Sequence, residues 1–336
     1  MYYKDFLRHR SVWLGTAMLW IMLFHLPLDL GSMNFLKEVG YGGVDICFFA
    51  SGIGCFFSLS SDPDIMKFMK RRLKRLAPTY VLFILVWLIF QYVCGRFTFQ
   101  MALGNLLALQ NFTGLGNDFN WYVGATFLFY LLTPYFKGII DRSSPGVKWL
   151  FLLFLLLCSV PFWNAGTYMI TLTRLPVFYS GLLYGDLCRQ NRKITGKVIF
   201  CLTAAFFAGI AALTASYVMF PQYLWPYGLH WYPFLLIAPP LCLAISRISM
   251  LLEKSKLTKP VLSFLSLCGD YSFEFFLVHL FLISFITELM NNFDLSGFGN
   301  LIWVIGGILL FSGCFLLRYV TEQIIHYASS RKSPTK

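Results

Sequence analysis

The sequence predicts an all-α polytopic membrane protein with about ten transmembrane helices and both termini in the cytoplasm. Three observations carry this expectation. The chain is 58% hydrophobic and only 12% charged, and its 36 phenylalanines and 18 tyrosines exceed what one soluble core can hide. Apolar runs recur that are long enough to cross ~30 Å of hydrocarbon, a distance that takes about 20 residues of helix. Of the 27 lysines and arginines, all but Lys37, Arg96 and Arg174 fall at alternate ends of these runs, the positive-inside pattern of a multi-spanning chain. The net charge of +12 is therefore a topology signal rather than a footprint for nucleic acid.

In chain order, the first span covers residues 12–28 behind Lys4, Arg8 and Arg10. It lacks a small-residue cleavage site after the apolar run, so it reads as an uncleaved helix and not as a signal peptide. The second, 41–59, opens on Gly40, Gly42 and Gly43 with Asp45 close behind, and it contains Ser51 and Gly52. The third, 77–95, follows a basic block from Lys67 to Arg75. Spans at 119–136 and 147–163 flank Lys137, Arg142 and Lys148, and spans at 168–187 and 197–219 flank Arg189, Arg192, Lys193 and Lys197. The eighth, 228–246, is separated by Arg247, Lys254, Lys256 and Lys259 from the ninth, 261–285, which Gly269 and Asp270 interrupt. The tenth, 298–320, ends near Arg318. With no long linker, low-complexity tract or clear internal repeat, residues 1–327 read as a single membrane domain and 328–336 as a polar cytoplasmic tail. The nine cysteines are odd in number, lie mostly in the spans and form no C-x-x-C, so free thiols and no metal site are expected.

Ionisable groups inside apolar spans are costly and mark functional sites. His25 stands alone in G-T-A-M-L-W-I-M-L-F-H-L-P-L, Gly15 to Leu28, roughly 20 Å from the start of its helix. Asp45, entering from the opposite side, and His279, on the ninth span, belong at a similar depth. A neutral imidazole takes a proton from a hydroxyl near neutral pH, and a carboxylate such as Asp45 or Glu274 would orient it. It can also carry an acyl group covalently. The bland alternative is that each polar group is satisfied by a neighbouring helix. A second constellation is F-M-K-R-R-L-K-R-L-A-P-T-Y, Phe68 to Tyr80. Positive-inside bias alone explains basic residues there, yet Arg71 with Arg75 and Arg72 with Arg75 are spaced to share a helical face, and arginines grip phosphate oxygens in bidentate fashion. A third, W-Y-V-G-A-T-F-L-F-Y-L-L-T-P from Trp121, reads by itself as an aromatic-belted helix.

Taken in order, these stretches resemble the membrane-bound acyltransferase 3 family, multi-spanning acetyltransferases that decorate surface polysaccharides. The matching pieces are L-G-T-A-M-L-W-I-M-L-F-H ending at His25, G-G-V-D-I-C-F-F-A-S-G-I from Gly42, R-R-L-K-R-L-A-P from Arg71, the Trp121 to Pro134 stretch, R-L-P-V-F-Y-S-G-L-L-Y-G from Arg174, and G-D-Y-S-F-E-F-F-L-V-H from Gly269. The resemblance implies transfer of an acetyl group from cytosolic acetyl-CoA, as donor substrate with no bound cofactor, to a hydroxyl of a lipid-linked or surface carbohydrate. It implies that His25 is the essential first-helix histidine, and that Arg71, Arg72 and Arg75 are the donor-side arginines. Ser51 and Gly52 match the second-helix S-G, and His279 falls in the late Y-S-x-x-x-x-L-x-H stretch. Two departures stand out. Leu14 occupies the place of an arginine eleven residues before the histidine, with Arg10 one turn earlier, and Gly124, Ala125 and Thr126 stand where many members carry an acidic residue.

The expected protein is thus an inner- or plasma-membrane O-acyltransferase. His25 and Asp45 are its catalytic candidates. Arg71, Arg72 and Arg75 are its donor-binding candidates, and Ser51, Trp121, Arg174, Glu274 and His279 its orienting or acceptor-binding candidates. The expected partners are acetyl-CoA, a carbohydrate acceptor and membrane lipid. The rival class is a transporter or flippase of glycan precursors, with His25 and Asp45 in a substrate or proton path.

Overall fold

The computed structural model describes residues 2–26, 28–114, 120–163, 165–293 and 299–330, and these residues fold as helices and connecting turns with no named strand among them. The main helices are α1 (Arg10–His25), α2 (Gly43–Ser61), α3 (Ile65–Val93), α4 (Trp121–Arg142), α5 (Pro145–Cys158), α6 (Leu175–Arg189), α7 (Gly196–Met219), α8 (Phe234–Leu252), α9 (Lys259–Asp270), α10 (Ser272–Asn292) and α11 (Gly299–Ser330). Of the expected tail, 331–336 lie outside the described residues, while 328–330 continue α11.

Eight helical segments among the described residues are long and apolar enough to cross a membrane: α3, α4, α7 and α8, the stretches Gly31–Ser61 and Pro145–Phe162 built on α2 and α5, and Ser272–Met290 and Leu301–Tyr327 within α10 and α11. Two of the ten expected spans form shorter helices. The first stops at His25 after 16 residues, where Leu26 precedes Pro27 and a residue before proline is disfavoured in the α region. The sixth divides into Thr167–Leu172 and the 15-residue α6, because Pro176 lacks the N–H a helix interior needs and suits a first turn. The ninth divides at Tyr271, so its apolar run occupies 272–290 and not 261–285. The eighth starts later than expected because Gly228, at φ +63°, closes the short helix Leu224–Tyr227 ahead of it. The third starts earlier, so the whole arginine block is helical.

One compact unit comprises Met1–Phe24, Asp29–Met69 and Trp121–Asp270. At its centre α2 and α6 cross closely. A Cβ on Gly52 would lie 2.2 Å from the Phe178 carbonyl oxygen, and one on Gly181 2.2 Å from that of Phe49. Lipid tails are as apolar as leucine, so small residues that admit backbone approach, rather than hydrophobicity, decide where such helices meet. A second crossing joins α1 to α9, where a Cβ on Gly15 would lie 1.8 Å from the Leu265 oxygen and one on Gly269 1.8 Å from that of Ser11. Trp13 donates to Ser246 Oγ at 2.7 Å, and that hydroxyl donates to the Phe6 carbonyl at 2.9 Å, fastening α1 to α8. The basic ends collect on one side of this unit. Arg8 pairs with Glu253 at 3.0 Å, and Lys148 and Arg189 each reach Asp186 at 2.8 Å, with Lys137 paired to Asp141 beside them. The start of α1 and the end of α8 thus adjoin, as do the end of α4, the start of α5 and the end of α6, which is the alternation the charge pattern required of them. In the turn after α1, the Gly31 N–H and the Asn34 amide donate to Asp29 at 2.9 and 2.6 Å; these hydrogen bonds hold its carboxyl below the usual range.

The other unit comprises His25–Leu28, Lys70–Asn120 and Tyr271–Lys336. Here α3 and α10 run side by side in the same direction. Phe83 meets Phe281 with ring centroids 6.2 Å apart, Phe90 meets Phe285 at 6.0 Å, and beyond them Arg96 pairs with Glu288. Helix α11 returns antiparallel to α10, with Tyr271 on Phe315 at 4.8 Å and Phe275 on Phe311 at 5.0 Å.

Candidate active site

The sequence singled out His25, and the structure places it at the C-terminal end of α1, exposed rather than sealed in the apolar run. The group beside it in its unit is His279 of α10, with ring centroids 5.4 Å apart and planes inclined at 50°. His279 is 1% exposed, and its Nδ1 lies 2.8 Å from the Phe275 carbonyl oxygen. A carbonyl only accepts, so Nδ1 donates, and in the neutral ring Nε2 keeps its lone pair. That Nε2 has no hydrogen-bond partner among the described residues. The polar group next to His25 is thus an imidazole whose Nδ1 carries a proton, which fixes the tautomer of the neutral ring. A helix carbonyl one turn back sets that tautomer, because residues four apart on α10 share a face.

Glu274, expected as an alternative orienting group, is buried on the first turn of α10 and sits in the field of Arg318 and Arg75. It lies five residues, or roughly 7.5 Å of helix rise, before His279. Arg318 in turn bonds Glu322 at 3.0 Å and stacks over Tyr271 at 4.4 Å. Of the three donor candidates, Arg72 is 9% exposed while Arg71 and Arg75 are exposed, all on the single helix α3. The spacing argument from sequence thus survives only in part: the three share one helix, but Arg72 points into the protein.

In the other unit Asp45 and Arg174 come together. Their side chains are 0% and 2% exposed, and Arg174 Nε lies 3.9 Å from Asp45 Oδ1. The guanidinium carbon sits 4.3 Å from the Trp231 ring centre and 5.0 Å from that of Trp121, and Nη1 donates to the Ile170 carbonyl at 3.1 Å. Neither Asp45 oxygen nor Arg174 Nε makes a hydrogen bond among the described residues. Tyr41 donates to the His230 carbonyl at 3.3 Å and receives the Tyr217 hydroxyl at 3.4 Å, with the Tyr41 and His230 rings 4.8 Å apart. Trp121, one of the orienting or acceptor-binding candidates, makes a cation–π contact with Arg174, as does Trp231. Trp231, Tyr41 and His230 were not singled out from sequence, because they join this cluster through turns and crossings that leave no periodic signal. Ser51 is half-buried beside Gly52 on α2, where the S-G pair makes the close crossing with α6.

Among the described residues no group of three or more His, Cys, Asp or Glu side chains is arranged to hold a metal ion. The described cysteines are free thiols.

A family model described as an acyltransferase domain matches residues 15–319, from the first turns of α1 to the later part of α11. No curated protein and no solved structure matches the chain. With its span-length apolar helices and a match over most of its length, the chain is a multi-pass membrane protein that belongs to the acyltransferase 3 family.

Proposed function

We propose that this protein is an O-acyltransferase that moves an acetyl group from cytosolic acetyl-CoA to a carbohydrate hydroxyl on a lipid-linked or surface glycan. The observation that carries the reading is the His25–His279 pair. His25 takes the proton of the acceptor hydroxyl as its oxygen attacks the thioester carbonyl; the C–O bond forms, the C–S bond breaks, and the proton passes on to the departing CoA sulfur. His279, held by the Phe275 carbonyl, orients His25 and shares the charge of the imidazolium. A transient acyl-His25 is the covalent variant of the same chemistry.

Arg71, Arg72 and Arg75 hold the donor phosphates, and Glu274 orders this end through Arg75 and Arg318. Asp45 and Arg174 act together as a buried support for the other unit. In this reading both termini are cytoplasmic, α1 and α6 are two short spans added to the eight, and the protein lies in the inner or plasma membrane with residues 1–327 as one functional domain. The common placement of basic helix ends in the first unit supports that orientation.

The deciding experiment is release of free CoA and transfer of labelled acetyl by the purified chain. His25→Ala is expected to lower turnover at least a hundredfold, the lower end of a general base's usual contribution, ~10²–10⁴. Normal transfer by the His25→Ala protein would overturn the assignment. Flux of a glycan precursor without consumption of acetyl-CoA would point instead to a transporter.

A further inference from the structure

A cavity of about 220 Å³ opens in the unit that carries His25 and His279. Its walls come from α3 through Trp87, Phe90 and Gln91, from Arg96 beyond that helix, and from α10 through Phe281 and Ser284. Leu280, also on its wall, directly follows His279, so cavity and imidazole pair occupy neighbouring turns of α10.

Gln91 is the informative residue. It is only 6% exposed, it lines the cavity, and no hydrogen bond holds its side-chain amide among the described residues. Its amide is not sealed from solvent, so water or a ligand in the cavity can reach it and pair with it. The amide offers two donors and one acceptor. Ser284 donates its hydroxyl to the Leu280 carbonyl at 2.9 Å, which leaves its oxygen as an acceptor. Arg96 adds donors, but its charge is matched by Glu288. The wall therefore presents donors and acceptors with little net charge, next to the aromatic carbon of Trp87, Phe90 and Phe281.

We propose that this cavity is the acceptor subsite and that it takes one neutral, polyhydroxylated ring of the carbohydrate. Each sugar hydroxyl both donates and accepts, which Gln91, Ser284 and Arg96 together can answer, while the C–H face of the ring rests on aromatic carbon. A phosphate or carboxylate would meet Arg96 already neutralised by Glu288. The volume lies below the ~300–1,000 Å³ of drug-sized sites, so it suits one ring and not an oligosaccharide. The proposal rests on the carbohydrate acceptor of the reading above.

The test uses the full chain in lipid nanodiscs with neutral methyl glycosides of glucose, galactose, rhamnose and N-acetylglucosamine as probes, and binding is read by ligand-observed NMR titration. At least one glycoside is expected to bind saturably, with affinity weakened tenfold or more in Gln91→Leu and several-fold in Ser284→Ala. Ser284 is exposed on the surface of α10, so its variant reports on the site even if Gln91→Leu proves poorly folded. Failure of every glycoside to saturate overturns the proposal, as does glycoside binding that both variants leave intact. Competition by short-chain phosphatidylglycerol alone, with the same dependence on Gln91, overturns it in favour of a lipid headgroup. Because binding needs no turnover, an inactive protein that still binds the glycoside through Gln91 would refute the acyl-transfer reading and leave the subsite standing.

Discussion

Replacing Asp45 by asparagine removes one charge from a pair whose side chains are 0% and 2% exposed and whose nearest charged atoms are 3.9 Å apart. At that separation, with an effective dielectric of about 20, the lost attraction is ~4 kcal/mol. Removing one partner of a buried pair typically costs about 3–5 kcal/mol, because the other charge stays behind uncompensated. The faces of Trp121 and Trp231 continue to attract Arg174, each worth about 0.5–2 kcal/mol, so the expected loss for Asp45→Asn lies near the lower end, ~3 kcal/mol. Arg174→Met should cost a similar amount. The double variant Asp45→Leu/Arg174→Met should recover much of the loss, since apolar replacement of a whole buried pair is often neutral or stabilising. The assay is reversible unfolding of the purified protein in mixed micelles with increasing SDS, read as a double-mutant cycle. A loss below about 1 kcal/mol in each single variant with no coupling between them would refute the view that this pair braces its unit. If the double variant is stable but cannot transfer acetyl, Asp45 belongs to the chemistry after all.

Three further expectations follow from particular contacts. Gly52→Val at the α2–α6 crossing puts a Cβ 2.2 Å from a backbone oxygen, so the helices must part. The cost should reach or exceed the ~1–3 kcal/mol of ordinary overpacking, measured as a lower unfolding midpoint, and an unchanged midpoint would disprove the close crossing. Trp13→Phe deletes the hydrogen bond to Ser246 while keeping an aromatic ring, and should destabilise by roughly 1 kcal/mol in the same unfolding assay, the usual net worth of such a bond. Arg75→Gln should raise the apparent KM for acetyl-CoA several-fold with little change in kcat, because a ground-state phosphate contact is uniform binding; initial-rate kinetics giving an unaltered KM would return the block to a topology role.

Much of the fold is legible in the residues themselves. Length and apolarity predict the span-length helices, and the glycines of G-G-V-D and S-G mark helices that approach closely, as Gly52 does at the α2–α6 crossing. Helix ends are less legible. The break before α6 depends on where backbone hydrogen bonds find partners, whereas the break at Tyr271 directly follows Gly269 and Asp270, which already interrupt the ninth run in the sequence.

For the candidate site, the sequence determined that His25 is an isolated ionisable group in an apolar helix and that His279 follows in a late motif, because each is visible as a polar exception in its own stretch. Only the tertiary structure decided that His279 stands next to His25, that Arg174 lies against Trp121, Trp231 and Asp45, and that Gln91 faces a cavity. The physical reason is that such pairings join residues far apart in sequence, on different helices or turns. They depend on how each helix is rotated about its axis and where it crosses its neighbour. In a membrane, small residues and buried polar groups set that rotation, since every face of the helix is apolar enough to meet lipid.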